Sequence, residues 1–283
     1  NALKETKKKH LLAILKYLYL HNSSTMNELV ENLQLSQPSI RNMVRTLQEK
    51  QLIQEVGNDL SSGGRCPTRF ALNEKNYLIL CLYVQVDKVI YQLRNFNEIK
   101  KEGILFYQSE DELKKTIKDL IDQEKIHCCQ IAVEGIVYED VYVTDHHNVL
   151  EKHQWLKDIK KEINIPLQLQ NDVKMIHQGC YFTYQQDSTY YLYINEVGIG
   201  SSYFYKDEPL YGRSGIMGEI GLISLKGKTI NQQIRECQNQ EEFNEILSLL
   251  LSMVFTMIDP KRLELSLDLK WRYEENIIEK VLN

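Results

Sequence analysis

The sequence predicts a multidomain protein of the α/β class, on three observations. Apolar residues recur at helical spacing in three successive segments of the first 50 residues. Two short β-type runs follow, from Ile53 to Val56 and from Thr68 to Leu72, and strands alternate with helices beyond them. A chain of 283 residues with 43% hydrophobic content can also bury more than one core. We therefore expect two or three domains.

Composition and charge narrow the classes of function. The longest apolar run, Ile246 to Ile258, is interrupted by polar residues and is too short to span a bilayer, so it predicts a buried helix. No leader segment opens the chain, and we expect a cytoplasmic protein without a membrane partner. The six cysteines lack metal-site spacing, which indicates reduced thiols. Lys and Arg outnumber Asp and Glu by eleven to seven up to Lys75, whereas acidic residues predominate after it. The basic N-terminal part is thus the candidate for nucleic-acid binding.

The first three apolar segments predict helix, short helix, turn, helix. The first helix runs from about Lys4 to His21, and the short second helix has Thr25 or Ser24 as its cap. Ser36 offers an N-cap for the third helix, and Pro38 suits its first turn. The inward-facing positions predicted for these helices are Leu11, Ile14, Leu15, Leu18, Met26, Leu29, Val30, Leu33, Ile40, Met43, Val44 and Leu47.

Burial of that stripe on the third helix leaves five polar residues on its outer face near the N-terminus: Gln37, Ser39, Arg41, Asn42 and Arg45. Arg and Asn side chains can form paired hydrogen bonds with guanine and adenine edges, and Gln and Ser can reach bases or phosphates. The pattern predicts a helix that reads the DNA major groove. The alternative is a solvated polar face of an ordinary amphipathic helix.

The stretch "VGNDLSSGGRCPTRFALN" lies between the two β-type runs and predicts a hairpin. With the three helices, it completes a winged helix-turn-helix domain over residues 1–73. Gly63 and Gly64 would allow close approach of the backbone to a phosphate, while Arg65 and Arg69 supply positive charge. An ordinary flexible hairpin loop with incidental arginines is the alternative.

The same stretch, "SSGGRCPTRFALN", resembles the wing signature G-G-R-x-P-T-x-x-x-L-N of the ROK family, which joins repressors to sugar kinases. The resemblance implies that a two-lobed, actin-like (ribonuclease H-like) α/β domain follows the polar linker "NEKN". Its first lobe would cover residues 77–168 and its second lobe residues 169–283, the second being shorter than the family pattern. Together with the segments below, the resemblance covers most of the chain.

Two further segments resemble the sugar site of that family. "IPLQLQNDVKMIHQG" implies that Asn171 bonds a sugar hydroxyl and that Asp172 occupies the place of the kinases' catalytic base. "GRSGIMGEIGLISL" makes Glu219 a candidate ligand for sugar hydroxyls. Asn-Asp before a helix is also an ordinary cap, and Glu219 could be a loop carboxylate. A sugar or sugar phosphate is the effector class that the resemblance implies.

Departures from the family pattern argue against catalysis. The kinases carry an Asp-x-Gly-Gly-Thr type turn after the first strand, where this chain has Tyr83 and Gln85 and no glycine. The segment "YLYINEVGIGSSYFYKDEPLYG" resembles the family's second glycine turn, near the nucleotide phosphates, but Glu196 precedes its glycines Gly198 and Gly200 and would repel a triphosphate. Leu222 stands where the family's zinc site has a histidine, and Cys237 alone remains of its cysteine cluster. We expect no cofactor, no metal and no enzymatic activity.

Two other patterns leave alternatives open. The histidines at positions 146, 147 and 153 could suggest a metal, but a solvated loop is the simpler interpretation. The tyrosine-rich "YYLYINEVGIGSSYFY" could stack on single-stranded nucleic acid, although alternating tyrosines are more typical of a half-buried sheet face.

The sequence thus predicts a homodimeric DNA-binding repressor that recognises a palindromic double-stranded operator and senses a sugar or sugar phosphate. The first alternative is an active ROK-type sugar kinase with an appended DNA-binding domain. The second is a protein-interaction module in which the N-terminal domain docks another protein.

Overall fold

The structure is a computed structural model that describes residues 2–58, 67–74, 77–146, 149–184, 187–206 and 208–272. The sequence predicts a last helix near Glu274 to Leu282, which lies outside these residues. Nowhere in the described part of the chain is there a helix with the length and apolar character that crossing a bilayer requires.

The chain begins with three helices: α1 (Ala2–His21), α2 (Met26–Leu33) and α3 (Gln37–Glu49). Helix α2 begins with a reciprocal cap, because the Thr25 hydroxyl accepts from the Glu28 amide at 3.2 Å while the Glu28 carboxylate accepts from the Thr25 amide at 2.8 Å. Ser36 occupies the N-cap position of α3, and Pro38 lies in its first turn. The predicted order of helices and the Thr25 cap are confirmed, whereas the Ser36 side chain makes no capping hydrogen bond to the backbone of α3.

A three-stranded antiparallel sheet accompanies these helices, in the order β1 (Ser24–Thr25), β3 (Thr68–Leu72), β2 (Ile53–Asn58). We call this sheet with helices α1 to α3 the N-terminal head. Its core consists of Ile14, Leu18, Leu29, Ile40, Met43, Val44, Leu47, Ile53, Phe70 and Leu72. Half-buried Phe96, which is distant in the sequence, packs against the same core.

The next part of the chain contributes strands β4 (Ile79–Val84), β5 (Lys88–Arg94), β6 (Ile99–Phe106), β7 (Cys128–Val133) and β11 (Leu167–Asn171), with helices α4 (Glu110–Asp122), α5 (Trp155–Glu162) and α6 (Asp172–Tyr184). The five strands form one sheet in the order β11-β7-β4-β5-β6. Ser109 caps α4, and its hydroxyl accepts from the Glu112 amide at 3.3 Å.

A second small sheet differs from the sequence interpretation. The segment after β7, where the sequence predicts a solvated loop around the histidines, forms antiparallel strands β8 (Ile136–Tyr138), β9 (Val141–His146) and β10 (Val149–His153). His153 does not lie free in a loop: its ring stacks on Tyr142 with centroids 4.4 Å apart, and its Nε2 lies 3.1 Å from the Thr144 hydroxyl. His147 lies outside the described residues.

The C-terminal part is built on a four-stranded sheet in the order β14 (Glu208–Pro209), β13 (Ile199–Tyr205), β12 (Ser188–Asn195), β17 (Arg262–Asp268). Strand β17 runs parallel to β12, whereas β13 is antiparallel to it. Short strands β15 (Ser224–Leu225) and β16 (Lys228–Thr229) precede helices α7 (Ile230–Glu236) and α8 (Gln240–Met257). Both helices contribute to the apolar core of this sheet, and α8 is the buried helix expected from the longest apolar run.

The chain divides into two compact units. One contains Asn1–Leu82, Asp87–Gln130 and Asn164–Leu167, and therefore includes the N-terminal head together with β5, β6 and α4. The other contains Tyr83–Val86, Ile131–Ile163 and Gln168–Asn283.

Candidate functional site

The outer face of α3 carries the five residues expected to contact DNA. Gln37, Ser39, Arg41, Asn42 and Arg45 are all exposed. The opposite face is buried, since Ile40 and Val44 have no exposed surface. The Ser39 hydroxyl lies 2.9 Å from that of Ser36, and the Arg45 guanidinium forms an exposed ion pair of 3.7 Å with Glu49. Such a pair contributes little to stability and leaves the arginine free to exchange partners. The other three predicted contacts, Gly63, Gly64 and Arg65, lie outside the described residues.

Arg69 departs from its expected role as a source of charge for DNA. Its side chain is only 27% exposed and forms an ion pair with the Glu28 carboxylate at 3.2 Å. It also donates to the hydroxyl and the carbonyl of Ser23 at 3.1 and 3.2 Å. These partners lie at the start of α2, so Arg69 joins β3 to that helix. The Thr25 amide and Arg69 together lower the pKa of Glu28.

The second site lies where three neighbouring strands end. Tyr83 is the penultimate residue of β4, Glu134 follows β7, and Asp172 follows β11. The Tyr83 hydroxyl donates to Glu134 Oε1 at 2.9 Å and lies 3.2 Å from Asp172 Oδ2. Gln85 Nε2 also donates to Glu134 Oε1, at 3.3 Å. The phenol thus sits between two carboxylates at one edge of the sheet.

Asn171 is the last residue of β11 and directly precedes helix α6. Its side-chain oxygen accepts from the Lys174 amide at 3.0 Å, which caps α6, and its Nδ2 donates to the Gly135 carbonyl at 2.9 Å. The residue is 6% exposed. The structure therefore shows the capping role that the sequence offered as the alternative. A bond from Asn171 to a sugar hydroxyl stays a prediction.

Lys174 and Glu219 form the other side of the site. The Lys174 side chain is 2% exposed, and its ammonium donates to the Gly215 carbonyl at 3.0 Å and lies 5.8 Å from the centre of the Tyr211 ring. Glu219 lies within electrostatic range of both Lys174 and Asp172. The structure therefore places Asn171, Asp172 and Glu219 in the same unit, and their role as a sugar site stays a prediction. We call Glu134, Asp172 and Glu219 the carboxylate cluster.

Burial controls the protonation of Asp172 and Glu219. It raises the pKa of Asp172 to about 6, with a further contribution from the negative charge of Glu134. It raises the pKa of Glu219 to about 7, although the positive charge of Lys174 opposes the shift. Burial also raises the pKa of Tyr83, which remains a neutral phenol, and lowers the pKa of Lys174. Protonated and ionised carboxyl groups therefore coexist near neutral pH.

Glycine 218 fixes the position of Glu219. Its φ is +96°, and a Cβ there would lie 2.3 Å from the Ser201 carbonyl oxygen, well inside van der Waals contact. The Gly218 carbonyl in turn accepts from the Ser201 hydroxyl at 2.7 Å. A glycine is thus required at position 218, because the segment that carries Glu219 approaches β13 closely there.

Three residues of the site were not assigned a role from the sequence. Tyr83 was noted only as a departure from the family pattern, and Glu134 and Lys174 were not singled out. Two of them could have been found from the sequence. Glu134 is a carboxylate directly after a buried strand, and Lys174 is a cation in the first turn of a helix that follows a buried strand. Gln170 was missed as well. It is 5% exposed, its oxygen accepts from the Tyr211 hydroxyl at 3.1 Å, and its Nε2 finds no acceptor within the described residues.

The residues present do not fit a zinc ion or the phosphates of a nucleotide. Leu222 and Cys237 stand at two of the expected zinc positions, and the Cys237 thiol donates to the Asn239 carbonyl at 3.2 Å. Nowhere in the described residues do three His, Cys, Asp or Glu side chains gather as metal ligands would. At the first phosphate turn, side chains of Tyr83 and Gln85 replace the glycine backbone that a phosphate approaches.

Comparisons with known proteins agree with this architecture. The model of the ROK family matches residues 104–248, slightly more than half of the chain. The xylose repressor of Staphylococcus xylosus is 24% identical over 229 residues. That match covers 74% of this chain but only 58% of the repressor, so the chain spans less than two thirds of its relative's length.

Solved structures share the fold. A ROK family transcriptional regulator, described as a homologue of the E. coli Mlc protein, matches with a TM-score of 0.69 at 15% identity, covering 92% of this chain and 81% of its own. A ROK family glucokinase from Streptomyces griseus, solved with glucose and AMPPNP, matches with a TM-score of 0.51 at 13% identity, covering 67% of this chain and 83% of its own. The fold is therefore common to a regulator and to a kinase.

Proposed function

Because the chain belongs to the ROK family, we propose that it is a DNA-binding transcriptional repressor that senses a sugar or sugar-derived effector without phosphorylating it. In this proposal the N-terminal head is a winged helix-turn-helix domain, and the remainder is a kinase-inactive ROK domain. The likeness to a regulator extends over most of the chain, and a curated relative bears the name xylose repressor.

The observation that carries the proposal is the division of α3 into two faces. The apolar face is fully used in the core of the head, so the exposed row of Gln37, Ser39, Arg41, Asn42 and Arg45 has no role in packing. These are side chains suited to base edges and phosphates, and they lie toward the N-terminus of the helix, as in major-groove readers. The hairpin of β2 and β3 stands beside α3, where a wing would follow the DNA backbone.

The operator would be palindromic. In a homodimer, two copies of α3 would enter successive major grooves, so their spacing would set the spacing of the half-sites. The loop with Gly63, Gly64 and Arg65 would contact phosphates in each half-site. An effector would act by changing the distance between the two heads, which requires that it bind the two arrangements with different affinity.

The effector would bind around Asn171, Asp172 and Glu219. Support comes from their grouping in one unit and from the hydroxyl-binding character of carboxylates and amides. Absence of catalysis is supported by Tyr83 and Gln85, whose side chains stand at the turn that phosphates approach in the kinases. Phosphoryl transfer depends on charge stabilisation at that point, and Glu134 contributes the wrong sign.

The test is binding to operators selected from random duplex DNA by the purified full chain. Combined Arg41→Ala and Arg45→Ala substitution should weaken binding at least about 30-fold, because each arginine contact contributes about 1–3 kcal/mol. Lys157→Ala, which removes an exposed charge from α5, is the matched control and should leave affinity within twofold. Unchanged affinity of the double variant at physiological salt would refute the role of α3.

One observation favours the second candidate, an active sugar kinase. Asp172 has a pKa of about 6, which suits a general base, and it stands where the resemblance places that base. An ATP-dependent assay over common hexoses, with Asp172→Asn as the inactive control, separates the two candidates. We expect no phosphate transfer by either protein; turnover by the unmodified chain that the substitution abolishes would establish the kinase.

A further inference from the structure

The carboxylate cluster makes the candidate effector site strongly acidic. Glu134, Asp172 and Glu219 belong to one unit and are linked by hydrogen bonds or electrostatic coupling. Lys174 is the cation that couples to them, and its ammonium already donates to the Gly215 carbonyl. A second negative charge near a carboxylate is repelled more strongly in a partly buried site than in water, because the effective dielectric constant is lower. Anionic ligands are therefore disfavoured.

The hydrogen-bonding groups of the site are mostly acceptors. Two donors that could have met an anion are occupied within the protein: Asn171 Nδ2 donates to the Gly135 carbonyl, and the Tyr83 hydroxyl donates to Glu134. Carboxylate oxygens remain to accept from a ligand, which suits a molecule rich in hydroxyl groups.

Tyr83 has one proton for two carboxylates. Its oxygen lies 2.9 Å from Glu134 and 3.2 Å from Asp172, so the phenol can donate to one of them at a time. Gln85 Nε2 also donates to Glu134 and the Val173 amide to Asp172, and the remaining lone pairs of both carboxylates can accept from another donor. A ligand hydroxyl is such a donor, whereas a phosphate oxygen in its ionised form is not.

A second observation, independent of the acidic residues, points to a ligand that offers an acceptor oxygen. Gln170 precedes Asn171 on β11, and its buried Nε2 finds no acceptor among the described residues. A buried donor without a partner is unfavourable, so an acceptor atom brought by a ligand would stabilise it. Its oxygen is held by Tyr211, whose side chain is 40% exposed, so displacement of Tyr211 by a ligand would open Gln170 to a hydroxyl or ring oxygen.

We propose that this site takes an uncharged, hydroxyl-rich sugar and rejects its phosphate ester, and that Tyr83 and Glu134 are the residues that determine this specificity. The inference rests on the proposed sensing of a sugar-type effector, and it narrows that class to the unphosphorylated members. Tyr83 fills the space at the strand ends, and Glu134, which Tyr83 and Gln85 hold in place, supplies the repulsion.

The experiment measures binding of five ligands to the full chain by titration calorimetry: D-xylose, D-glucose, N-acetylglucosamine and the 6-phosphates of the last two. We expect at least one unphosphorylated sugar to bind and its 6-phosphate to bind at least tenfold more weakly, a difference of about 1.4 kcal/mol. Equal or tighter binding of the 6-phosphate would overturn the inference and leave the sensing of sugars intact.

Variants locate the discrimination. Glu134→Gln removes the charge at constant shape and should reduce the discrimination at least fivefold, and Tyr83→Phe should also reduce it because Glu134 loses its donor. Glu151→Gln, which removes an exposed carboxylate from β10, should leave the ratio unchanged. Equal discrimination by unmodified protein and both site variants, each folded by circular dichroism, would show that these residues do not determine it. If none of the five ligands binds to protein that still binds duplex DNA, the sensing proposal fails, and this inference fails with it.

Discussion

Arg69 shows how far a single residue can be interpreted from its neighbours in the sequence. It stands in a basic, glycine-rich stretch, which indicates contact with a polyanion, yet its guanidinium is held by Glu28 and Ser23. The partner residues are more than 40 positions away, so no local pattern announces the pairing. Arg41 and Arg45 differ because helical periodicity alone determines which face of α3 they occupy. Periodicity thus predicts exposure well, whereas the partner of a side chain depends on the fold.

At the same scale, the protonation of Asp172 predicts a pH dependence of stability. The pKa of Asp172 is about 6 in the folded protein and 3.8 ordinarily, so the folded state binds the extra proton. The stabilisation that this proton contributes is complete below about pH 3.8 and is lost as the pH rises through about 6. Asp172→Asn imitates the protonated form and keeps an oxygen for the Val173 amide.

We therefore expect Asp172→Asn to raise the thermal midpoint at pH 8 and to raise it less at pH 5, where the carboxyl group of the folded protein is already mostly protonated. The gain should be about 1–2 kcal/mol, since Glu134, Glu219, Lys174 and Tyr83 also face this carboxyl group and Glu219 titrates in the same range. Differential scanning fluorimetry between pH 5 and pH 8 measures it, with exposed Asp119→Asn as the control. A variant less stable than the unmodified protein at pH 8 would contradict the assignment of a buried, neutral-preferring Asp172.

At the scale of elements, the segment that carries Glu219 depends on one glycine. Gly218→Ala would force an L side chain into φ of +96° and bring its Cβ to 2.3 Å from the Ser201 carbonyl. We expect a loss of about 2–3 kcal/mol of stability and weaker effector binding. Urea unfolding followed by circular dichroism measures the loss.

The matched control for that substitution is Gly179→Ala. Gly179 lies within α6, and a Cβ there would meet no atom within 4 Å. Alanine favours the helix by up to about 1 kcal/mol, so this variant should be as stable as the unmodified protein or slightly more stable. Similar losses in both variants would mean that neither glycine is required by its surroundings.

The elements also show what the sequence could predict. Helices α2 and α4 could be placed because their caps, Thr25 with Glu28 and Ser109 with Glu112, are local signals. Strands β8 to β10 were missed because β8 has only three residues and its register is set by β9, which returns after a short turn. Within the site, resemblance indicated Asn171, Asp172 and Glu219. Glu134 escaped because its role depends on Tyr83, which lies on a neighbouring strand 51 residues away.

At the scale of the molecule, the junction between the head and the rest of its unit predicts how the chain unfolds. Phe96 packs on the core of the head, and its ring stacks on Tyr77 with centroids 5.7 Å apart. Tyr77 stacks in turn on His127 at 4.7 Å, while the side chain of Asn97 donates to Glu74. The head therefore shares its core with the turn between β5 and β6.

We expect Phe96→Ala to separate the unfolding of the head from that of this turn. Without the ring, the head loses apolar contacts that tie it to β5 and β6, so its amides should exchange hydrogen through a lower-energy opening. Hydrogen exchange by mass spectrometry would show this as faster exchange in α1 to α3, with β7 unaffected. Ile104→Ala, which truncates a 53% exposed side chain on β6, should change neither. Equal protection of the head in both variants would show that Phe96 does not tie it to the turn.

The same aromatic ring bears on attempts to transplant the N-terminal head onto another protein. A fusion that ends at Asn73, the last residue of the N-terminal domain predicted from the sequence, would lack Phe96, whose ring packs against the core of the head. Such a fusion protein would be less stable than the unmodified protein, and its exposed apolar surface would promote association with other proteins. A fusion that also includes the turn between β5 and β6 should stay soluble. A fusion in which the apolar residues covered by Phe96 are replaced by polar ones should stay soluble as well.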